Sequence, residues 1–247
     1  MMLTQLATVL RARGLDVVEA AGWTSRGHGP MLGVETVVCH HTAGPATGDP
    51  PSLRTVIDGR PGLAGPLANL YLSRSGAWYT VAAGKAWHAG AVLQPSYSND
   101  YAVGIEAEAT GTASWPPAQY ESFAIGCAAL AAHYGLPVER VMGHKEVCAP
   151  PGRKIDPNFA MEPFRALIAH YLEVDVPLTA ADIDLLLREP LQRHVNEAKV
   201  NVPDALTVGE ALATLYVRSQ TAPAPGSVDP DAVAAKVADV LAARLAS

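Results

Sequence analysis

The most informative part of the chain is the sequence V-V-C-H-H-T-A-G, residues 37–44. It completes a run from Glu35 to His41 that is rich in β-branched residues, which is typical of a buried strand. Side chains alternate along a strand, so His40 and His41 face opposite ways and only one can point into a site. The small residues that follow would hold such a histidine in an open cleft. The residues alone also allow both histidines to be ordinary polar residues near a strand end.

A second histidine lies in G-H-K-E-V-C-A-P-P-G-R-K-I-D-P, residues 143–157. His144 follows a predicted short strand, 138–142, and Asp156 comes after a Pro/Gly-rich loop. Imidazole and carboxylate together suit a borderline cation such as Zn²⁺. With His40 they make three protein ligands and leave the fourth position to water, as in a catalytic zinc site. Without the first segment, His144 would be better explained as a surface histidine.

The third segment is V-G-I-E-A-E-A-T-G, residues 103–111. Glu106 and Glu108 share one face of a predicted strand that is otherwise apolar. A carboxylate on a half-buried strand is costly unless it has a role or a partner. We interpret Glu106 as the base that takes a proton from metal-bound water. The alternative is a solvent-facing edge.

Periodicity and turn residues predict the remaining elements. The predicted helices cover 3–13, 52–58, 118–134 and 163–172, and the predicted strands cover 15–19, 67–73, 77–82 and 101–108. Strands and helices alternate up to about residue 174, whereas only helices are predicted beyond it. This pattern indicates an α/β catalytic domain, 1–174, followed by a helical tail.

Composition excludes several classes of protein. The net charge is −6 and the sequence contains no Lys/Arg cluster, so nucleic acid is not an expected partner. No apolar run reaches the roughly 18–20 residues that span a bilayer, so no transmembrane segment is expected. Arg11 and Arg13 follow the first apolar stretch instead of preceding it, which argues against a secretory signal peptide. Three cysteines make a disulfide framework an unattractive interpretation and fit a reducing cytoplasm.

Four motifs in order, H-H-T-A-G, W-H-A-G (87–90), G-I-E-A-E and G-H-K-E with the later G-R-K-I-D-P, resemble the zinc N-acetylmuramoyl-L-alanine amidases. That fold is shared with peptidoglycan recognition proteins and phage lysozyme-amidases. The resemblance spans about residues 34–160. It implies a mixed central β-sheet flanked by helices, a Zn²⁺ cofactor, and hydrolysis of the amide between the muramic acid lactyl group and L-alanine of peptidoglycan. Two alternative functions stay open. One is a non-catalytic peptidoglycan receptor on the same fold, and the other is a zinc peptidase acting on another bond of the stem peptide.

The resemblance also assigns residues to roles. It implies three zinc ligands (His40, His144, Asp156), a general base (Glu106) and an oxyanion-stabilising lysine (Lys154). Apart from the resemblance, we predict three substrate contacts (His88, Asn69, Trp115); His88 could instead contact a zinc ligand, and a core or rim position is the alternative for Trp115. Cys148 is an alternative third ligand, since some members of the family use cysteine there. We favour Asp156, which keeps the K-x-D pairing with Lys154. For His88, a structural role beside a packed tryptophan is an equal alternative.

The stretches L-A-N-L-Y-L-S-R-S-G-A-W-Y-T-V-A-A-G-K-A-W-H-A-G (67–90) and S-W-P-P-A-Q-Y (114–120), and the Ala-rich C-terminal helix after a Pro linker, resemble endolysins of phages that infect high-GC Gram-positive bacteria. This implies a protein that stays in the host cytoplasm until it is released to the cell wall. We divide the tail into a helical region, 175–220, a Pro-rich linker, 221–228, and an amphipathic helix, 229–247. The tail is predicted either to bind the wall or to self-associate through the apolar stripe of its last helix.

Overall fold

The computed structural model of the chain describes residues 1–174. The predictions made for 175–220, 221–228 and 229–247, including self-association through the last helix, lie outside the described residues. The proposed domain boundary at residue 174 therefore stays a prediction.

Residues 1–174 contain five α-helices and eight strands. The helices are α1 (Leu6–Arg11), α2 (Leu53–Asp58), α3 (Pro117–Tyr134), α4 (His144–Val147) and α5 (Met161–Val174). The strands are β1 (Val17–Glu19), β2 (Thr36–His41), β3 (Gly59–Arg60), β4 (Leu63–Ala64), β5 (Leu70–Leu72), β6 (Trp78–Thr80), β7 (Ala102–Ala107) and β8 (Val141–Gly143). None of these helices is both long and apolar enough to cross a membrane.

Six of the strands form one mixed sheet in the order β1-β6-β5-β7-β2-β8. The hairpin of β5 and β6 is antiparallel, and the other neighbouring pairs are parallel. Strands β3 and β4 form a separate two-stranded ribbon. The expected mixed central sheet flanked by helices is thus confirmed.

Most predicted elements occur near their expected places, and three local predictions are wrong. Residues 60–66, predicted as loop, contain part of the β3–β4 ribbon. The strand predicted over 138–142 starts with a 3₁₀ turn, Val138–Arg140, so that β8 begins only at Val141. The loop predicted after His144 starts with the short helix α4. These short elements lack the length over which a hydrophobic period can be recognised.

One face of the sheet packs against α1, α3 and α5. Alternation along the central strands places Val37 and Cys39 of β2 and Ile105 of β7 on this face, where they are fully buried with Phe123 of α3. Burial of a side chain of this size contributes about 1.5–3 kcal/mol. The helix α3 ends at Gly135, whose φ of 64° is left-handed, as the sequence predicts for a C-terminal glycine. This face therefore forms the main core.

The opposite face carries the functional residues. Alternation places His40 of β2 and Glu106 of β7 here, and the two are paired in the parallel register. Helix α2 covers the neighbouring part of this face, where Val56 packs against Tyr71 of β5. A cleft opens beside α2 at the carboxyl ends of β2, β7 and β8, where open α/β sheets commonly bind their ligands.

Candidate metal centre

Three side chains from separate segments meet in the cleft. His40 is the next-to-last residue of β2, His144 follows β8 at the start of α4, and Asp156 lies in the loop after α4. His40 Nδ1 is 3.0 Å from His144 Nδ1 and 3.1 Å from Asp156 Oδ2, and His144 Nδ1 is 3.0 Å from the same oxygen. All three side chains are buried. The structure therefore brings together the three predicted ligands, which are 104 and 12 residues apart along the chain.

The contacts of the two Nε2 atoms, which point away from the cluster, indicate which nitrogens carry hydrogen. His144 Nε2 is 2.9 Å from the carbonyl oxygen of Ala89, which can only accept, so Nε2 is the protonated nitrogen. His40 Nε2 is 3.1 Å from His88 Nδ1. Burial, the largest effect, lowers the pKa of His40 to about 4, so its ring is neutral at pH 7. In the neutral form, each Nδ1 directs a lone pair at the other and at the carboxylate.

This convergence fits a divalent cation. Asp156 directs a carboxylate oxygen at the same two nitrogens, 3.1 Å from His40 Nδ1 and 3.0 Å from His144 Nδ1. Two lone pairs and an anion about 3 Å apart repel one another unless a positive charge lies between them. Tetrahedral ligands about 2.0–2.1 Å from a zinc ion are separated by about 3.3 Å. His40, His144 and Asp156 are also the one group of metal-ligating side chains found within residues 1–174.

Cys148 lies apart from this cluster. Its sulfur is 3.8 Å from the carbonyl oxygen of Lys145 and 3.7 Å from that of Pro150, and it is buried. Asp156, not Cys148, therefore completes the cluster in the structure. The two cysteines outside this loop, Cys39 and Cys127, contact each other in the core with their sulfurs 3.8 Å apart.

Glu106 borders the same cleft. Its Oε2 atom is buried and has no hydrogen-bond partner among residues 1–174. Burial, reinforced by the negative charge of Asp156, raises the pKa of Glu106 to about 8, while the nearby Lys154 acts in the opposite direction. A carboxyl with a pKa near neutrality and a free oxygen in a cleft is a candidate for general acid–base work.

Glu108, two residues further on, has a structural role. It is fully buried and accepts hydrogen bonds from Tyr71 Oη at 2.5 Å, Thr42 Oγ1 at 2.9 Å and the backbone N–H of Ser52 at 3.0 Å. Arg74 lies 3.4 Å away. These contacts join β5, the end of β2 and the start of α2, and they fix the side of the cleft that α2 forms. The two glutamates thus differ in role although they share a strand face.

The pocket around the cluster has a volume of about 500 Å³. Its wall combines apolar side chains with cationic ones: Leu63, Leu67, Trp87 and Ile155, with Arg60, Arg153 and Lys154. Trp87 stacks on His28 with ring centroids 4.4 Å apart. Arg60, Arg153 and Trp87 were not singled out as pocket residues by the sequence, because nothing in their local pattern distinguishes them from surface residues.

The predicted substrate contacts need correction. Asn69 is fully buried, donates to the carbonyl oxygens of Ala82 and Gly84, and accepts the N–H of Gly104, so it holds the sheet together and cannot reach a substrate. Trp115 lies outside the pocket wall, packs against Phe159 and donates to Asn158. His88 does line the pocket, although it is largely buried.

The two adjacent histidines differ in their relation to the ligand cluster. His40 belongs to the ligand cluster and His41 does not, as alternation along β2 predicts. However, His41, the last residue of β2, also lines the pocket.

The sequence comparisons with known proteins point to one family. The sequence pattern of a family described as N-acetylmuramoyl-L-alanine amidase matches residues 30–159. The 1,6-anhydro-N-acetylmuramyl-L-alanine amidase AmpD of Salmonella typhimurium is 37% identical over 89 residues, covering 34% of this chain and 46% of the relative. AmpD of Escherichia coli is 35% identical over 89 residues, covering 34% and 48%. The chain thus spans about half the length of the curated relatives it matches.

Solved structures of similar proteins include a selenomethionine derivative of AmpD and the N-acetylmuramoyl-L-alanine amidase LysC from Clostridium intestinale. The first has a TM-score of 0.48 at 26% identity and covers 62% of this chain and 93% of that one. The second has a TM-score of 0.47 at 20% identity and covers 62% and 97%.

Proposed function

Because the chain belongs to the N-acetylmuramoyl-L-alanine amidase family, we propose that it uses zinc to hydrolyse the amide between the lactyl group of muramic acid and L-alanine in peptidoglycan. The observation that supports this most directly is the convergence of His40 Nδ1, His144 Nδ1 and Asp156 Oδ2, 3.0–3.1 Å apart, in an open pocket. These residues would hold the ion, which when bound supplies the Lewis acidity that activates water and polarises a carbonyl.

The chain's own residues provide the remaining chemistry. Glu106, with its free Oε2, takes a proton from the attacking water and passes it to the nitrogen of the leaving alanine. The water oxygen forms a bond to the lactyl carbonyl carbon, and the C–N bond then breaks to give a carboxylate and a free amine. Lys154 lines the same pocket, where its ammonium group can stabilise the negative charge that develops on the carbonyl oxygen.

The activity can be tested by digestion of purified peptidoglycan. We expect new amino-terminal alanine and no new reducing sugar ends. Asp156→Ala should abolish the release together with zinc binding, whereas Glu106→Gln should abolish release and still bind zinc. New amino termini on another residue would instead identify a zinc peptidase, and wall binding without either product would identify a receptor. Both results would contradict the proposal.

A second substrate is favoured by one observation, the similarity to the AmpD proteins, whose names specify a 1,6-anhydro-N-acetylmuramyl substrate. This chain would then act on soluble anhydro-muramyl peptides in place of the polymeric wall. Parallel assays on intact sacculi and on purified 1,6-anhydro-muramyl tripeptide would separate the two. Faster release of peptide from the soluble substrate than from sacculi would favour this alternative.

The endolysin role implied by the sequence is also a proposal. It is supported by the stretches at 67–90 and 114–120, and it requires the protein to remain in the host cytoplasm until the membrane is opened. Expression in a bacterium with and without a pore-forming protein tests this. Lysis only in the presence of the pore is expected, and lysis without it would contradict the role.

A further inference from the structure

We propose that His88 and Asn99 are positioning residues that hold both imidazole ligands in the tautomer that offers Nδ1 to a metal ion. The inference rests on the proposed metal site and is independent of which bond the enzyme cuts. It starts from the segment Trp87–Gly90, which lies behind the two histidines and supplies an acceptor to each of them.

His88 fixes the tautomer of His40. Its Nε2 is 3.1 Å from the carbonyl oxygen of Ala102, and a carbonyl can only accept, so Nε2 carries the hydrogen. The ring is buried, where a charged imidazolium would be costly, so the ring is neutral and Nδ1 is an acceptor. His40 Nε2 lies 3.1 Å from that Nδ1 and donates to it. The lone pair of His40 is thereby placed on Nδ1, toward the cluster.

Ala89, the next residue, fixes the tautomer of His144. The carbonyl oxygen of Ala89 accepts the Nε2–H of His144 at 2.9 Å, which places the lone pair of His144 on Nδ1 as well. Adjacent residues of one segment therefore select the same tautomer in two histidines that are 104 residues apart in sequence. Such outer contacts commonly fix the tautomer and ring orientation of histidine ligands in metal sites.

Asn99 keeps this segment in place. Its Oδ1 accepts the backbone N–H of His88 at 3.0 Å and that of Ala89 at 2.9 Å. One side-chain oxygen thus sets the position of both acceptors at once. Loss of this oxygen would leave the N–H of Ala89 without its partner and the N–H of His88 with only a longer contact, 3.3 Å, to the carbonyl oxygen of Ala86. The segment could then shift away from both histidines.

The His88 ring has little freedom to turn away. It lies against Gly104 of β7, where a Cβ atom would be only 2.4 Å from His88 Cγ. Both ring nitrogens are already used, one by Ala102 and the other by His40. The ring therefore has no free polar atom for a substrate, although it lines the pocket. This separates the positioning role from the substrate contact that the sequence suggested.

Two substitutions of nearly the same shape test the role of His88. Asparagine places Oδ1 where the imidazole has Nδ1 and can still accept from His40, whereas leucine has the same branching and no acceptor. We expect His88→Leu to weaken binding of Zn²⁺ by about 10- to 100-fold in competition with a chromophoric chelator, and His88→Asn to restore most of it. Thermal unfolding of the metal-free proteins shows whether each variant is folded.

The tautomers themselves provide a readout that a general loss of packing would not give. Long-range ¹H–¹⁵N spectra of the metal-free protein distinguish Nδ1–H from Nε2–H in each histidine. We expect His40 and His144 to be Nε2–H in the wild type, His40 alone to become a mixture in His88→Leu, and both to be affected in Asn99→Leu. The test remains possible even if His88→Leu does not fold, because Asn99→Leu disturbs the same hydrogen bonds from another residue.

The outcomes distinguish this inference from the proposed function. Wild-type protein that fails to bind Zn²⁺ through His40 and His144 would refute the metal site, and with it both proposals. Normal zinc binding in the wild type together with equal affinities in folded His88→Leu and His88→Asn would overturn only the positioning role. Unchanged tautomers of His40 and His144 in Asn99→Leu would overturn it as well.

Discussion

Replacement of Glu106 by glutamine should make the stability of the metal-free protein less dependent on pH. Glu106 is the carboxyl whose pKa burial and the charge of Asp156 raise from 4.5 to about 8. A carboxyl with a higher pKa in the folded protein than in the unfolded chain binds its proton more tightly when folded. As the pH rises from 4.5 to 8, the unfolded chain loses this proton first, so the free energy of unfolding falls. Glutamine cannot lose a proton and removes this contribution.

The magnitude follows from the same shift. One pKa unit corresponds to about 1.4 kcal/mol, so the full shift corresponds to about 5 kcal/mol, of which about 3 kcal/mol is expressed between pH 5 and pH 8. Glu106 is only half-buried and borders the open pocket, where water screens part of the effect. We therefore expect Glu106→Gln to gain about 1–3 kcal/mol relative to the wild type when the pH is raised from 5 to 8.

Urea unfolding in the presence of a chelator measures this difference. Both proteins are unfolded at several values between pH 5 and pH 8, and the free energies are subtracted at each pH, so that all other titrating groups cancel. A difference that does not change with pH would refute the environment assigned to Glu106.

Three further predictions concern other parts of the molecule. Asp156→Ala should lose bound zinc and Cys148→Ala should keep it, as measured by metal analysis after dialysis, because the Cys148 sulfur faces the carbonyl oxygens of Lys145 and Pro150 and is not part of the ligand cluster. Glu108→Ala should lower the free energy of unfolding in urea by about 3–5 kcal/mol, because buried donors lose their common acceptor. Gly126→Ala should lower it by about 1–3 kcal/mol, since the added Cβ would be 2.1 Å from Cζ2 of Trp78, and an unchanged stability would contradict this packing.

The sequence predicts the central part of the fold well. Helix α3 is apolar over most of its length and ends at a glycine, and β2 and β7 consist largely of buried apolar residues, so both kinds of element are recognisable locally. The β3–β4 ribbon has two residues in each strand, and its pairing depends on contacts that no local pattern encodes. The order of the strands is also not determined by any one segment, because it depends on which strands pair across the whole sheet.

The site could be predicted where its residues lie at the ends of predicted strands. His40 and His144 follow strand-like runs, and parallel strands place their carboxyl ends on the same edge, so their meeting could be anticipated. Asn69 also lies at a strand boundary, but its amide is used entirely by the backbone of neighbouring strands. The role of Asn99 could not be inferred, because an asparagine that binds two backbone N–H groups looks in sequence like any loop asparagine.

The two carboxyl groups of the cleft differ in their surroundings, and this difference assigns their roles. Asp156 faces two imidazole nitrogens, as a metal ligand does, whereas burial and the charge of Asp156 make Glu106 bind its proton more tightly. A cation held by His40, His144 and Asp156 would add positive charge beside Glu106 and lower its pKa. The carboxyl would then be ionised at neutral pH mainly when the site is loaded. The same ion that activates water would in this way also prepare the group that accepts its proton, so that an empty site would lack both.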